Sequence, residues 1–334
     1  MKKAVRVLIV VFLFGIFVYV IGPKPEKPEF NPELEELNVS LDNLDQFIQV
    51  KEADLPVKPG NESKVVWQDN ELKYKTKHCL LYLHGFSASG FEGDPTHVNF
   101  ARHFQANAYI PRLASHGLDV PDPLLDMTPD RLYESAKEAL QIANLLGEKV
   151  IVMGTSTGGT LALKLAADFP ELMAGLILMS PNIRINNPAA FLLSKPWGLQ
   201  IARQSNGGIY RQTNEDLNAE ECNYWNCFYR MEATVYLQQL VASTMHGELF
   251  RKVEKPLFLA YYYQDEEHQD DVVRVDAMLN MFDQLGTPEA LKRKQAFNAG
   301  THVIGSGMFS KTRDEVEQAC IDFASEVLEM NPSN

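Results

Sequence analysis

Continuous apolar segments alternate with helical patterns over most of this 334-residue chain. Such segments are typical of strands buried on both faces of a parallel sheet, and apolar residues spaced three and four apart predict the helices between them. The sequence therefore predicts an α/β protein with a mostly parallel central sheet covered by helices on both faces. We predict strands at residues 64–67, 72–74, 79–83, 108–113, 149–153, 174–179, 257–263 and 294–297, and helices at 129–146, 157–169, 272–285 and 311–330.

About residues 182–255 interrupt this alternation. The stretch is rich in helix-forming and aromatic residues, and a structureless loop of that length is uncommon inside a compact domain. We therefore predict a helical cap that is inserted over the strand ends of a domain spanning residues 64–330.

The amino-terminal residues predict a membrane segment. Residues 4–21 are apolar apart from Arg6, and a helix of this length spans roughly 27 Å, close to the thickness of a bilayer core. Lys2, Lys3 and Arg6 place the amino terminus in the cytoplasm by the positive-inside rule, so the rest of the chain would be periplasmic or extracellular. We favour a retained anchor at residues 1–22, because no A-x-A site follows; a cleaved signal peptide stays an alternative.

Residues 23–63 are predicted to form a proline-rich stalk that holds the folded domain off the membrane, followed by a short helix. Prolines favour a semi-extended chain, and apolar residues at helical spacing predict an amphipathic helix that packs on the domain. The prolines are Pro23, Pro25, Pro28 and Pro32, and the apolar residues are Leu37, Leu41, Leu44 and Ile48.

Charge and cysteine content exclude several classes of protein. The chain has 31 Lys and Arg against 44 Asp and Glu, a net charge of −13, which argues against nucleic acid as the main partner because phosphate binding needs a cationic face. The four cysteines, Cys79, Cys222, Cys227 and Cys320, show no metal-ligand spacing. A bridge between Cys222 and Cys227 requires an oxidising compartment; buried free thiols are the simpler interpretation, and the pairing stays open.

A Gly-x-Ser-x-Gly motif lies between a predicted buried strand and a predicted helix. In the segment GTSTGG (154–159), the glycines allow a sharp backbone turn and leave no side chains to crowd Ser156. Such a turn would raise the Ser156 hydroxyl above the sheet, at the amino end of a helix whose dipole favours negative charge. We predict that Ser156 is a nucleophile; the alternative is an ordinary turn serine.

A second motif, His84-Gly85-Phe86, ends the strand predicted at 79–83. A loop in this position can direct backbone N–H groups at a developing oxyanion, and so can the residue after the nucleophile. We therefore predict an oxyanion hole formed by the backbone N–H groups of Phe86 and Thr157. The side chain of His84 is expected to be structural.

These motifs resemble the α/β-hydrolase fold superfamily and, within it, the carboxylesterase and monoacylglycerol-lipase branch. The resemblance covers about residues 64–330 and implies the α/β-hydrolase fold, a serine hydrolase mechanism and a triad in the chain order Ser, acid, His. It rests on the segments LYLHGFSAS (81–89), IPRLASHG (110–117), VMGTSTGG (152–159), QDDVVRV (269–275) and AGTHVI (299–304).

The base and the acid of the triad are predicted downstream of the serine. His302 follows the last extended segment, where its imidazole could accept a proton from Ser156. The acid must hold the tautomer of the histidine, and several carboxylates crowd residues 265–271. The spacing found in the family points to Asp265, whereas the Asp-Asp-Val-Val pattern before the next helix points to Asp270; we predict Asp270.

The function predicted from this set is a membrane-anchored, exported serine hydrolase that cleaves carboxylic esters, as a carboxylesterase or an acylglycerol lipase. It would form an acyl-enzyme on Ser156, act on a small-molecule ester, with acyl esters or acylglycerols favoured over small polar esters, and need no metal or organic cofactor. A serine peptidase of the same fold and a noncatalytic binding protein are the alternatives. The cap aromatics either line an acyl pocket or form a small core of the cap; they are Phe191, Trp197, Tyr224, Trp225, Phe228, Tyr229 and Tyr236.

Overall fold

The computed structural model describes residues 2–212 and 220–331 of the chain. The strands are β1 (Lys64–Val66), β2 (Thr76–Leu83), β3 (Asn107–Ile110), β4 (Gly147–Thr155), β5 (Gly175–Met179), β6 (Tyr210–Gln212), β7 (Phe228–Arg230), β8 (Leu257–Tyr262) and β9 (Lys292–Phe297). The α-helices are α1 (Lys2–Val20), α2 (Leu44–Glu52), α3 (Thr96–His103), α4 (Pro129–Leu146), α5 (Thr157–Asp168), α6 (Gly198–Asn206), α7 (Glu221–Tyr224), α8 (Glu232–Thr244), α9 (Gly247–Lys252), α10 (Val275–Gln284) and α11 (Arg313–Glu326). Short 3₁₀ helices lie at Leu41–Asn43, Gly90–Gly93, Pro170–Leu172, Ala190–Ser194 and Glu289–Leu291.

Within the described residues, seven strands form one central sheet in the order β1-β3-β2-β4-β5-β8-β9. All neighbouring strands are parallel except β1, which pairs antiparallel with β3 at the edge. The predicted α/β architecture with a mostly parallel sheet and flanking helices is confirmed. Because the six parallel strands of this sheet, β3, β2, β4, β5, β8 and β9, run in one direction, the loops that follow them meet at one edge of the sheet.

The apolar strands bury both of their faces. In β2, Cys79, Leu81 and Leu83 belong to the core that contains residues of α4 and α5, whereas Leu80 and Tyr82 belong to the opposite core with residues of α3 and α11. This alternation follows from the two-residue period of a strand. A strand that is covered on both faces has no polar side, which is why β2 reads as a continuous apolar run.

The strand predicted at 72–74 is not present. Asp69 Oδ1 accepts hydrogen bonds from the backbone N–H groups of Glu71 and Leu72, at 2.8 and 2.9 Å. This side-chain cap closes a turn in place of strand pairing, and Leu72 is 74% exposed. The apolar pair of Leu72 and Tyr74 therefore does not mark a buried element.

Helix α1 is apolar and unburied. Residues 3–20 have a mean hydropathy of 2.3, none of this span is buried in the protein, and by length and composition it could cross a membrane. Its carboxyl end contacts Trp197, whose indole N–H donates to Val18 O at 2.9 Å and whose backbone N–H donates to Pro23 O at 2.8 Å. A Cβ on Gly22 would lie 2.1 Å from the Trp197 indole nitrogen, so the backbone just after α1 packs directly against this ring.

Residues 23–40 have no regular secondary structure, but they do not form a free spacer; we call them the strap. The strap lies along α4. Asp130 Oδ1 accepts from the backbone N–H of Phe30 at 2.8 Å, and Lys137 Nζ donates to the carbonyl oxygens of Asn31 and Glu33. The ring of Phe30 packs edge-on against Tyr133. Polar and aromatic groups of α4 thus hold the segment against the domain, and the stalk that spaces the domain from a membrane stays a prediction.

The segment between β5 and β8 contains helices and the β6–β7 pair, which the sequence analysis did not predict. A disulfide joins Cys222 to Cys227, while Cys79 and Cys320 are buried free thiols. The simpler interpretation of four free thiols is therefore wrong for the first pair. We call residues 222–227 the bridged loop. The boundaries of the predicted cap stay a prediction.

Candidate active site

Ser156 occupies a strained turn at the end of β4. Its φ and ψ angles are +53° and −116°, a conformation that is costly for a non-glycine residue. The turn fits because a glycine lies two residues away on each side: a Cβ on Gly158 would lie 1.8 Å from Leu83 O, and one on Gly154 would lie 2.6 Å from the Gly158 carbonyl carbon. Close packing of α5 against β2 and β4 therefore requires both glycines and fixes Ser156, which is 7% exposed, at the carboxyl edge of the sheet.

His302 and Asp270 are joined by a hydrogen bond. His302 Nδ1 lies 2.7 Å from Asp270 Oδ2, and Asp270 is 1% exposed. The other oxygen, Oδ1, accepts from the backbone N–H groups of Val272 and Val273, each at 3.0 Å. These bonds delay the start of α10 to Val275, three residues later than predicted. Because Nδ1 bonds a carboxylate, we assign the ring proton to Nδ1, which leaves Nε2 as the basic nitrogen.

Nε2 of His302 is buried and has no hydrogen-bond partner among the described residues. The loop that carries His302 packs close to the serine turn. A Cβ on Gly305 would lie 2.8 Å from Met179 Sδ, and Met179 O accepts the backbone N–H of Ser156 at 3.0 Å. A buried basic nitrogen without a described partner, on a loop that packs near the serine turn, suits proton removal from a substrate-bound serine.

Electrostatics favour the charged pair of Asp270 and His302. Burial raises the pKa of Asp270, but His302 and the two backbone N–H groups lower it more, so the carboxyl pKa lies below its ordinary value. Burial lowers the pKa of His302, but the charge and the hydrogen bond of Asp270 raise it more, with a smaller rise from Glu92. The net pKa of His302 lies above its ordinary value, so the site stabilises an imidazolium.

Asp265 lies apart from this pair. Its Oδ1 accepts from the backbone N–H groups of Glu267 and His268, at 3.0 and 2.8 Å, and lies 2.8 Å from His268 Nδ1. Its side chain is 49% exposed. A bridge between Tyr263 and Gln269 closes the base of this loop. Residues 264–268 therefore extend toward solvent, and Asp270, which follows the bridge, lies at the end of the strand. Of the two candidate acids, the structure brings only Asp270 to His302.

The two backbone groups predicted for an oxyanion hole follow the neighbouring strands β2 and β4. No described residue accepts a hydrogen bond from the Phe86 N–H, and Thr157 begins α5, where the first N–H groups of a helix lack partners within the helix. A Cβ on Gly85 would lie 3.1 Å from the Ser156 Cβ, so the loop after β2 touches the serine turn.

The side chain of His84 is structural, as expected. It is fully buried, its Nε2 accepts from the Leu113 N–H at 3.1 Å, and its Nδ1 lies 2.9 Å from Gly85 O. Burial holds the pKa of His84 well below its ordinary value, so the ring stays neutral. It ties the loop after β2 to the loop after β3.

The bridged loop covers the loop after β2. Tyr224 stacks on Phe91 with ring centroids 3.8 Å apart, and the Asn226 N–H donates to Ser87 O at 2.7 Å. Trp225 packs edge-on against Phe309, beyond His302. The cap aromatics therefore divide: these two contact the loops around the site, Tyr229 is buried against Phe86, and Phe191 and Phe228 are exposed.

Two polar residues near the serine were not singled out from the sequence. Asn182 donates its backbone N–H to Ser156 O at 2.9 Å and has a buried, unpartnered Oδ1. It follows β5, so a search for polar residues after each buried strand would have found it. Glu92 is buried beside Gly85, and no sequence pattern marks it. Within residues 2–212 and 220–331, no group of three His, Cys, Asp or Glu side chains could hold a metal ion.

A profile of the alpha/beta hydrolase family matches residues 80–318. The chain belongs to this family. The prediction of a superfamily member that resembles the esterase and monoacylglycerol-lipase branch is confirmed. No curated protein matches the chain.

Among solved structures, one described with the metagenome-derived lipolytic enzymes LipS and LipT has a TM-score of 0.62 at 18% identity, covering 80% of this chain and 98% of the other. The Paleococcus ferrophilus monoacylglycerol lipase has a TM-score of 0.58 at 11% identity, with 79% and 98% covered. Est1E from Butyrivibrio proteoclasticus, with bound ferulic acid, has a TM-score of 0.53 at 15% identity, with 82% and 99% covered. At these identities the likeness is one of fold.

Proposed function

We propose that this alpha/beta hydrolase is a serine hydrolase that cleaves carboxylic esters through an acyl-enzyme, with Ser156, His302 and Asp270 as its catalytic residues. The observation that carries the proposal is the buried His302–Asp270 hydrogen bond, which leaves Nε2 without a described partner on a loop that packs near the strained Ser156 turn. The lipolytic enzymes and esterases among its structural neighbours support an ester as the substrate.

In the first half of the reaction, Ser156 Oγ attacks the ester carbonyl while His302 Nε2 takes the hydroxyl proton. The charge that forms on the carbonyl oxygen is stabilised by the N–H groups of Phe86 and Thr157, and Asp270 stabilises the imidazolium. His302 then returns the proton to the departing alcohol, which leaves an acyl ester on Ser156.

In the second half, His302 Nε2 removes a proton from water, which attacks the acyl carbonyl. The resulting tetrahedral intermediate releases Ser156 as the carboxylic acid departs, and His302 gives the proton back to Ser156. Ester and water are thus converted into alcohol and acid, and the catalytic groups are restored without a metal or organic cofactor.

The proposal includes export and retention by α1. The apolar span supports an anchor, and the disulfide between Cys222 and Cys227 supports an oxidising compartment for the folded domain. Acyl esters are the favoured class because aromatic residues of the bridged loop flank the site and an anchored enzyme meets lipids first.

Replacement of the nucleophile tests the proposal. Ser156→Ala should fold normally and lose ester hydrolysis by a factor on the order of 10⁴–10⁶, and it should lose labelling by a fluorophosphonate. Ser194→Ala, on the cap segment, is the matched control and should behave as wild type. Mapping of the adduct to another serine would refute the assignment, and faster cleavage of aminoacyl anilides than of p-nitrophenyl acyl esters would favour a peptidase.

A further inference from the structure

Glu92 is a buried acid with no place in the reaction described above. It lies in the 3₁₀ turn Gly90–Gly93 and is 3% exposed. Its Oε2 accepts the Gly85 N–H at 2.7 Å and the Tyr82 hydroxyl at 3.2 Å. A Cβ on Gly85 would lie 2.6 Å from Glu92 Oε1, so this carboxyl packs directly behind the residue that precedes Phe86.

Through these bonds Glu92 connects the loop after β2 to the serine turn. The Tyr82 hydroxyl lies 3.0 Å from Thr155 Oγ1, and Thr155 precedes Ser156. Gly85 itself touches the Ser156 side chain, as its close approach to that Cβ indicates. The position of the Phe86 N–H relative to Ser156 therefore depends on a carboxyl group that contacts neither of them through a hydrogen bond.

The residues that follow Glu92 hold the loop that carries His302. Asp94 O accepts the Gly307 N–H at 2.8 Å, and Thr96 Oγ1 donates to Gly305 O at 2.7 Å. One short segment thus contacts both the loop after β2 and the loop after β9.

The charges of Glu92 and His302 interact. Burial raises the pKa of Glu92 to about 7, although the Gly85 N–H and the positive charge of His302 lower it. In return, the negative charge of Glu92 raises the pKa of His302, after the larger effect of Asp270 and before a smaller one from Asp271. His97, which packs on the Tyr82 ring, is neutral because burial lowers its pKa to about 3.

We propose that Glu92 is a positioning residue of the hydrolase: it fixes Gly85, and with it the Phe86 N–H, against the Ser156 turn, and its ionised form adds a second negative charge in the segment that holds the His302 loop. The proposal rests on the function proposed above. A neutral side chain could fill this space with a smaller free-energy penalty, because burial of a carboxylate requires its desolvation. The charge is useful because His302 becomes an imidazolium as Ser156 attacks.

The test compares two variants of the full chain. Each variant removes one negative charge that raises the pKa of His302. Glu92→Gln keeps an oxygen that can accept from Gly85 and is nearly the same size. Asp271→Asn, at an exposed carboxylate with no bond to Gly85, is the matched control. The dependence of kcat and kcat/KM on pH is measured with a p-nitrophenyl acyl ester. The fraction of protein with a reactive Ser156 is measured by fluorophosphonate labelling.

Glu92→Gln should lower kcat about tenfold and move the acid limb of kcat/KM to lower pH by about one unit, because the imidazolium loses a stabilising charge. Asp271→Asn should move the limb less and keep kcat within about twofold. The proposal would be overturned if Glu92→Gln left the acid limb of the kcat/KM profile unmoved, or if both variants shifted it equally. A purely structural role would lower kcat without moving the limb.

If Glu92→Gln does not fold, the wild-type protein still decides. The imidazole of His302, followed by nitrogen NMR, should titrate in two coupled steps, because Glu92 ionises in the same pH range; a single step contradicts the proposal. Failure of the proposed function has a different signature: wild-type protein that neither hydrolyses esters nor labels at Ser156, whatever the titration of His302 shows.

Discussion

Asp270 receives three hydrogen bonds inside the protein, whereas Asp265 is bonded to its own exposed loop. Asp270→Asn should cost on the order of 10⁴ in turnover, because an amide stabilises neither the correct tautomer nor the imidazolium. Asp265→Asn should keep most of the activity. Steady-state kinetics with circular dichroism as a folding check would measure both, and the reverse ranking would give the role to Asp265.

The raised pKa of His302 fixes the sign of the pH dependence. The base must be neutral to accept a proton, and a pKa above the ordinary value of about 6.5 keeps it protonated to higher pH. Activity should therefore fall as pH decreases through an apparent pKa above about 6.5. A profile of kcat/KM between pH 5 and 9, with fluorophosphonate labelling rates as a second probe, measures this value; a limb centred below pH 6 would contradict the structure.

The sequence alone is sufficient to single out the candidate residues that a local pattern marks, and their catalytic roles stay a proposal. Ser156 lies in a glycine motif, His302 follows the last strand, and Asp270 precedes a helix. Glu92 could not be found in this way, because its proposed role arises from a bond to Gly85 across a turn and from a segment that contacts the His302 loop, which is distant in sequence.

At the scale of elements, strands were predicted best where both faces are buried, as in β2, β4, β5 and β8. The prediction failed where a polar side chain redirects the backbone, as Asp69 does at 72–74. It also missed the pair β6 and β7, since three-residue strands far apart in sequence carry no periodic signal.

The strap is an element whose stability contribution can be measured. Lys137, 2% exposed beneath the strap, donates to two strap carbonyls, and Phe30 packs on Tyr133, so deleting the strap breaks these contacts and exposes the apolar face that they cover. Deleting residues 1–36 should lower the free energy of unfolding by about 2–4 kcal/mol relative to deleting residues 1–22. Urea denaturation of both forms is the measurement. Equal stability would mean that the segment behaves as a free stalk after all.

For the whole molecule, the cysteines report the compartment. In an exported protein with the Cys222–Cys227 disulfide, alkylation under denaturing conditions without reductant should modify only Cys79 and Cys320, and reductant should expose all four. Mass spectrometry of protein isolated from membranes gives the count and also shows whether residues 1–22 are retained. Alkylation of all four thiols without reductant would place the domain in a reducing compartment.

The contact of Trp197 with Val18 and Pro23 limits the distance between α1 and the folded domain. A free stalk of residues 23–63 could extend by roughly 130 Å, so an anchored domain would sweep a deep layer of solution. With the strap bound to α4, a domain anchored by α1 would have no such free length, and the domain, roughly 50 Å across, would stay against the bilayer surface. The proposed substrate search would then be nearly two-dimensional and would depend on the density of esters within the lipid leaflet more than on their concentration in bulk. Hydrolysis rates that follow the surface fraction of an ester in vesicles, rather than its total concentration, would be the kinetic signature of this short connection between α1 and the domain.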